Sequence, residues 1–151
     1  MSAAALASLT AVLERPVARR AARALAPATE VGLLVAGTAA RFTMEGGRPV
    51  LREGAAADPD FTLTLPEAAV ARLAAQQTDD VGEMGIAFFQ LLMERDPSLH
   101  VGVRIQASTV RLLSHGYLSV LALGGMRVGL WLLRKGLADP RAVIERLRRR
   151  S

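Results

Sequence analysis

The chain has 151 residues, 51% of them apolar and 22% charged, with a formal net charge of +5, two histidines and no cysteine. A chain of this size makes one domain and buries roughly 68–70% of its unfolded surface, enough for a core without disulfides or structural metals. The missing cysteines exclude a disulfide framework, thiol catalysis, iron–sulfur clusters and cysteine-bound zinc, and two histidines leave little for a histidine-rich metal site.

The positive charge sits at the two ends. Residues 1–29 and 139–151 each carry +3, and residues 30–138 carry −1. Nucleic-acid recognition wants a basic face interleaved with aromatic residues. The near-neutral middle lacks one, so no nucleic-acid partner is expected. A single lysine, Lys135, stands among eighteen arginines in an alanine-rich chain, a bias that looks like codon usage in a GC-rich genome as much as a functional signal.

Residues 1–27 read as a helical arm. Leu6, Leu9 and Leu13 share a face, and Pro16 divides the segment into two short amphipathic pieces, as a docking helix needs. Its arginine-rich, acid-poor composition also resembles an organelle transit peptide, but the basic-then-apolar order of a secretory signal is missing. The structural arm is the preferred reading.

After Pro27 the apolar period changes to two, the mark of strands with one buried face. Val31, Leu33 and Val35 form the first strand, and a Gly37-Thr38 link leads to a second through Phe42 and Met44. Gly46-Gly47 supplies a hairpin turn into a third strand at Val50-Leu51, where Pro49 suits an edge. The small-residue loop GAAADPD precedes a fourth strand with Phe61, Leu63 and Leu65 on one side. Four successive strands predict an antiparallel meander. Thr64 and Glu67 have capping-box spacing, which predicts a helix through Val70, Leu73 and Ala74. Asp80 and Glu83 repeat the pattern for a helix with Met84, Phe88, Leu91 and Leu92 on one face, ended at Asp96-Pro97. Val101, Val103 and Ile105 form a fifth strand. Ser108 to Lys135 reads as helix with a bend at Gly124-Gly125, and Asp139-Pro140 opens a last helix with Val143, Ile144 and Leu147 able to pack. The most apolar stretch, Tyr117 to Met126, falls short of the roughly 20 residues of a membrane span. The expected location is cytoplasmic.

Catalytic chemistry finds little support. Ser114 and His115 adjoin, but helical neighbours point about 100° apart, and no G-x-S-x-G turn surrounds them. His100 and His115 have no metal-ligand spacing or carboxylate cluster. Asp58-Pro59-Asp60 and Asp79-Asp80 read as turn and cap residues. Gly125 and Gly129 suit close helix packing. No catalytic residue, metal or cofactor is expected, and the chain reads as a non-enzyme. An enzyme acting on a lipid with His115 as base lacks a nucleophile.

Residues Met84 to Leu133 hold more apolar side chains than one sheet face can cover. Two explanations stand. One is a thick core plus a helical interface, forming a homodimer or docking on a biosynthetic enzyme. The other is an apolar cavity for a lipid-sized guest, since binding cavities are mostly hydrophobic. On the second reading the lining is Met84, Phe88, Leu92, Val103, Ile105, Leu112, Tyr117, Leu121, Met126 and Trp131, with Tyr117, Ser114 or His115 near the guest's polar end. Arg146, Arg148, Arg149 and Arg150 would then give transient contact with anionic membrane.

The stretch VGLLVAGTAARFTMEGGRPVLREGAAADPDFTLTLPEAAVARLAA, most specifically Ala57 to Leu73, resembles the sterol carrier protein type-2 family, and FFQLLMERDPSLHVGVRIQAST looks like that family's second half. The likeness runs over about residues 28–123, with one departure: Ala107-Ser108 stands where the family usually has Gly-Asp. The resemblance implies an α+β fold, a five-stranded mostly antiparallel sheet covered on one face by helices, enclosing a tunnel for fatty acids, sterols or isoprenoid-like lipids. It also implies carriage without chemistry, with bacterial relatives holding quinone precursors for a biosynthetic complex. The corresponding division is an arm at 1–27, a lipid-binding core at 28–123 and a helical extension with a basic tail at 124–151.

Overall fold

The computed structural model describes residues 2–117, 119–120, 131, 134–135 and 140–149. The expected bend at Gly124-Gly125, together with Leu121, Met126 and Arg150, lies outside the described residues. Two helices open the chain, α1 (Ser2–Leu13) and α2 (Pro16–Ala22). Pro16 takes the first position of α2, where its missing N–H removes no helical bond.

β1 (Glu30–Val35), β2 (Thr38–Glu45) and β3 (Arg48–Glu53) pair antiparallel in succession. The first turn is Ala36-Gly37, one residue upstream of the expected link, and holds Ala36 at φ +47°. β4 (Phe61–Leu65) breaks the expected meander. It lies beside β1 and parallel to it, pairing Val31 with Phe61 and Val35 with Leu65, and β5 (Gly102–Ile105) pairs antiparallel with β4. The strand order is therefore β3-β2-β1-β4-β5. A period of two reports which face is buried and says nothing of the neighbouring strand. Here the 54–60 link decides the neighbour. It spans three strand spacings of about 4.8 Å, well within reach of seven residues at ~3.3 Å each. Its end is pinned to the start of β1, where the Asp60 N–H donates to the Glu30 carbonyl at 2.7 Å and the Asp58 N–H to the Glu30 carboxylate at 2.7 Å.

The register aligns the apolar residues of four strands on one face: Ala40 and Phe42, Val31 and Leu33, Phe61 and Leu63, Val103 and Ile105. The other face carries Thr62, Arg104 and the 39% exposed Leu34. There Gly32 leaves room for Thr62, whose hydroxyl would lie 2.8 Å from a Cβ and would have to shift. Onto the apolar face pack Ala5 and Leu9 of α1, Ala69, Val70 and Leu73 of α3 (Glu67–Ala75), and Leu91 and Leu92 of α4 (Val81–Leu92). The fold is thus the α+β arrangement of five strands, mostly antiparallel, with helices on one side. The N-terminal arm shares the core of the sheet.

The helix starts differ in how they are capped. Thr64 remains in β4 opposite Gly102, and Pro66 caps α3 without a side-chain bond, so the expected Thr64/Glu67 box does not form. Asp80 does cap α4, its carboxylate accepting the Gly82 N–H at 2.8 Å, while Glu83 accepts the Thr78 hydroxyl at 2.6 Å. Ser108 caps α5 (Thr109–Ser114) by accepting the Arg111 N–H. The helix expected to continue from Ser108 is interrupted at His115-Gly116, where Gly116 adopts φ +92° and any Cβ would collide with the Ala24 carbonyl. A glycine in this left-handed conformation ends a helix at little steric cost. α6 (Pro140–Arg149) closes the described chain against β5. Among the described residues no helix is long and apolar enough to cross a membrane.

Candidate functional site

The described helices do not fill the space above the sheet. A cavity of about 470 Å³ remains, within the roughly 300–1,000 Å³ range of small-molecule sites. Its floor is the aligned apolar face, with Val31, Leu33, Phe42, Phe61, Leu63, Val103 and Ile105. One wall is α4, which presents Met84, Gly85, Phe88 and Leu92 at intervals that place them on one helical side. A second wall is α1 and α2, through Leu9, Val12, Val17 and Ala21. Leu112 of α5, Tyr117, and Ile144 and Leu147 of α6 complete the lining.

Of the candidate lining residues, Met84, Phe88, Leu92, Val103, Ile105, Leu112 and Tyr117 therefore face one cavity. Trp131 stands one layer back, its ring 6.0 Å from that of Phe89, with the Lys135 ammonium 6.0 Å from the indole. Leu121 and Met126 lie outside the described residues. Arg146 and Arg149 are exposed on α6, and the Arg148 guanidinium donates to the Ala107 carbonyl at 3.0 Å. Arg150 lies outside the described residues. The Ser114 hydroxyl turns back to the Arg111 carbonyl at 2.9 Å and does not serve as a polar anchor in the cavity. His115 ends α5, where a mid-helix position was expected.

The N-terminal helices, expected as an arm apart from the lipid-binding core, bring their Leu9 stripe into the site. Asp60 reads from sequence as a turn residue. Asp60 is fully buried and gathers three partners from α5 and the residues just after it. One carboxylate oxygen lies 2.7 Å from His115 Nδ1 and accepts the Tyr117 hydroxyl at 2.7 Å. The other is 2.9 Å from Arg111 Nε, a charge contact in which no N–H points squarely at the oxygen. Arg111 in turn reaches Asp58 at 3.1 Å. The Asp60 carbonyl accepts the N–H groups of Gln106 and Ala107, and the His115 carbonyl accepts the Ala26 N–H, so the cluster ties α5, the end of β5 and the chain after α2 together. No sequence spacing reveals this, because the partners stand more than fifty residues away.

Tyr117 connects the cluster to the cavity. Its ring packs edge-on against Phe61 with centroids 5.1 Å apart. Burial first, and the hydrogen bond to the Asp60 carboxylate second, hold its phenol well above the ordinary tyrosine range, since both disfavour a phenolate. Among the described residues no group of three or more metal-ligating side chains converges.

No protein-family model matches this sequence, and no curated protein matches it. Among solved structures, one described as "UbiJ-SCP2 Ubiquinone synthesis protein" is similar at 18% identity and a TM-score of 0.43, covering 83% of this chain and 94% of that one.

Proposed function

We propose that this protein binds and carries a hydrophobic small molecule without transforming it. The observation that supports the reading is the cavity itself, some 470 Å³ walled by hydrocarbon side chains from both ends of the chain. Removing apolar surface from water drives such binding at about 25 cal/mol per Å², or ~0.8 kcal/mol per methylene. A chain of roughly 14 carbons has about 11 kcal/mol of gross driving force. Association takes back on the order of 4–15 kcal/mol, a balance that allows both uptake and release. Fatty acyl, sterol-like and isoprenoid-like molecules all fit this description.

Binding in place of catalysis is the simpler assignment for the polar groups as well. The Asp60–His115 pair is engaged in holding backbone segments together, and the Ser114 hydroxyl beside it is turned to its own helix. For delivery, we propose that α6 meets anionic membrane through Arg146 and Arg149, since Ile144 and Leu147 of the same helix face the cavity. The direct test is uptake of a neutral fluorescent hydrocarbon such as diphenylhexatriene. Saturable enhancement with about one probe per chain supports the carrier reading, and fluorescence no higher than in buffer overturns it.

A further inference from the structure

We infer that the cavity selects neutral ligands over carboxylates. This rests on the carrier reading and names the ligand class of the same site. Among the described lining residues, Tyr117 has the one side chain bearing an O–H or N–H. That proton is already donated to Asp60 at 2.7 Å. The described lining side chains therefore offer a guest no free donor, and the phenol oxygen is itself engaged by the Thr29 hydroxyl.

Among the described residues, other sources of positive potential near the wall are also engaged. The start of α4, where Val81 and Met84 line the cavity, is capped by the Asp80 carboxylate and carries Glu83 in its first turn. A helix N-terminus attracts an anion only where its N–H groups and dipole are not already answered by acidic side chains. The start of α2 has Pro16, which has no N–H to give. Arg111, the cation of the buried cluster, is held between Asp60 at 2.9 Å and Asp58 at 3.1 Å. A carboxylate drawn inside would exchange its hydration for hydrocarbon and an oxygen lone pair, and an unpaired buried ion is strongly disfavoured. A hydroxyl, which carries no charge, loses far less. An ester or hydrocarbon leaves no donor unsatisfied.

The test is displacement of diphenylhexatriene from the full chain by a long-chain alcohol, the carboxylic acid of the same length and its methyl ester, at about neutral pH where the acid is ionised. The alcohol and the ester are expected to displace the probe at concentrations at least tenfold lower than the acid. Equal displacement by acid and ester overturns the inference while leaving the carrier reading intact. A protein that never binds the probe overturns the carrier reading itself.

Discussion

Replacing Asp60 with asparagine keeps the side chain's shape and removes its charge from a site with no solvent contact. In the native protein one oxygen receives His115 Nδ1 and the Tyr117 hydroxyl, each at 2.7 Å, and the other faces Arg111 Nε at 2.9 Å. An amide presents an oxygen on one side only, so its NH₂ must face a donor in either orientation. Removing one partner of a buried charged contact costs about 3–5 kcal/mol. The lower end applies here, because the Arg111 side chain is 32% exposed and retains Asp58. We therefore expect Asp60→Asn to lose about 3 kcal/mol, which at roughly 2–4 °C per kcal/mol for a domain of this size lowers Tm by ~6–12 °C. Urea unfolding at neutral pH measures the loss. A double-mutant cycle with Tyr117→Phe should show strongly non-additive effects, since both substitutions break the same bond. If Asp60→Asn falls within about 0.5 kcal/mol of wild type, the range of an ordinary surface change, the cluster does not hold the fold as argued.

Tyr117 is the chain's one tyrosine, so tyrosinate absorbance reports it alone. Its folded-state phenol is raised above the unfolded value near 10 by burial and by Asp60. The associated stability is fully present below about pH 10 and is lost as pH rises further. The folded protein should show no tyrosinate at about pH 11, with the signal appearing together with unfolding; an early, reversible titration near 10 in the folded state contradicts the buried bond. Gly116→Ala should destabilise by more than about 2 kcal/mol, from a forced left-handed residue plus collision with backbone at Ala24; unchanged thermal unfolding would remove Gly116 as the helix stop. Phe88→Asp should reduce diphenylhexatriene uptake at least tenfold while Leu34→Asp, on the far face of the sheet, leaves it unaltered; similar uptake in both variants contradicts the cavity wall. Co-sedimentation with vesicles rich in anionic lipid should fall when Arg146 and Arg149 are both changed to Glu, at about 1 kcal/mol per arginine near the surface; identical binding removes α6 as the contact.

The alternating residues of β1, β2, β4 and β5 made the apolar sheet face legible from sequence, because a period of two needs no knowledge of neighbours. That face became the floor of the cavity. The Met84-Phe88-Leu92 stripe was legible for the same local reason, with a period near 3.6. Pairing of β4 with β1 was not, since it depends on where a seven-residue link crosses the sheet. Asp60 was the largest omission. Asp-Pro-Asp is a turn sequence on local grounds, and the three side chains that make this aspartate a buried hub belong to α5 and the residues just after it, distant in the chain. The stop at Gly116 was hidden similarly, because an isolated glycine in a helical pattern is tolerated unless packing demands otherwise. The N-terminal helices showed their amphipathic faces plainly. That Leu9 and Val17 would face a cavity required knowing that the arm folds back over the sheet.

Native mass spectrometry of the full chain, purified without detergent and then extracted with organic solvent, tests the existence of a guest most directly. A protein population heavier than the bare polypeptide, losing that mass on extraction and yielding a neutral lipid, is the predicted result. Only the bare mass, or a persistent dimer with nothing extractable, would contradict it.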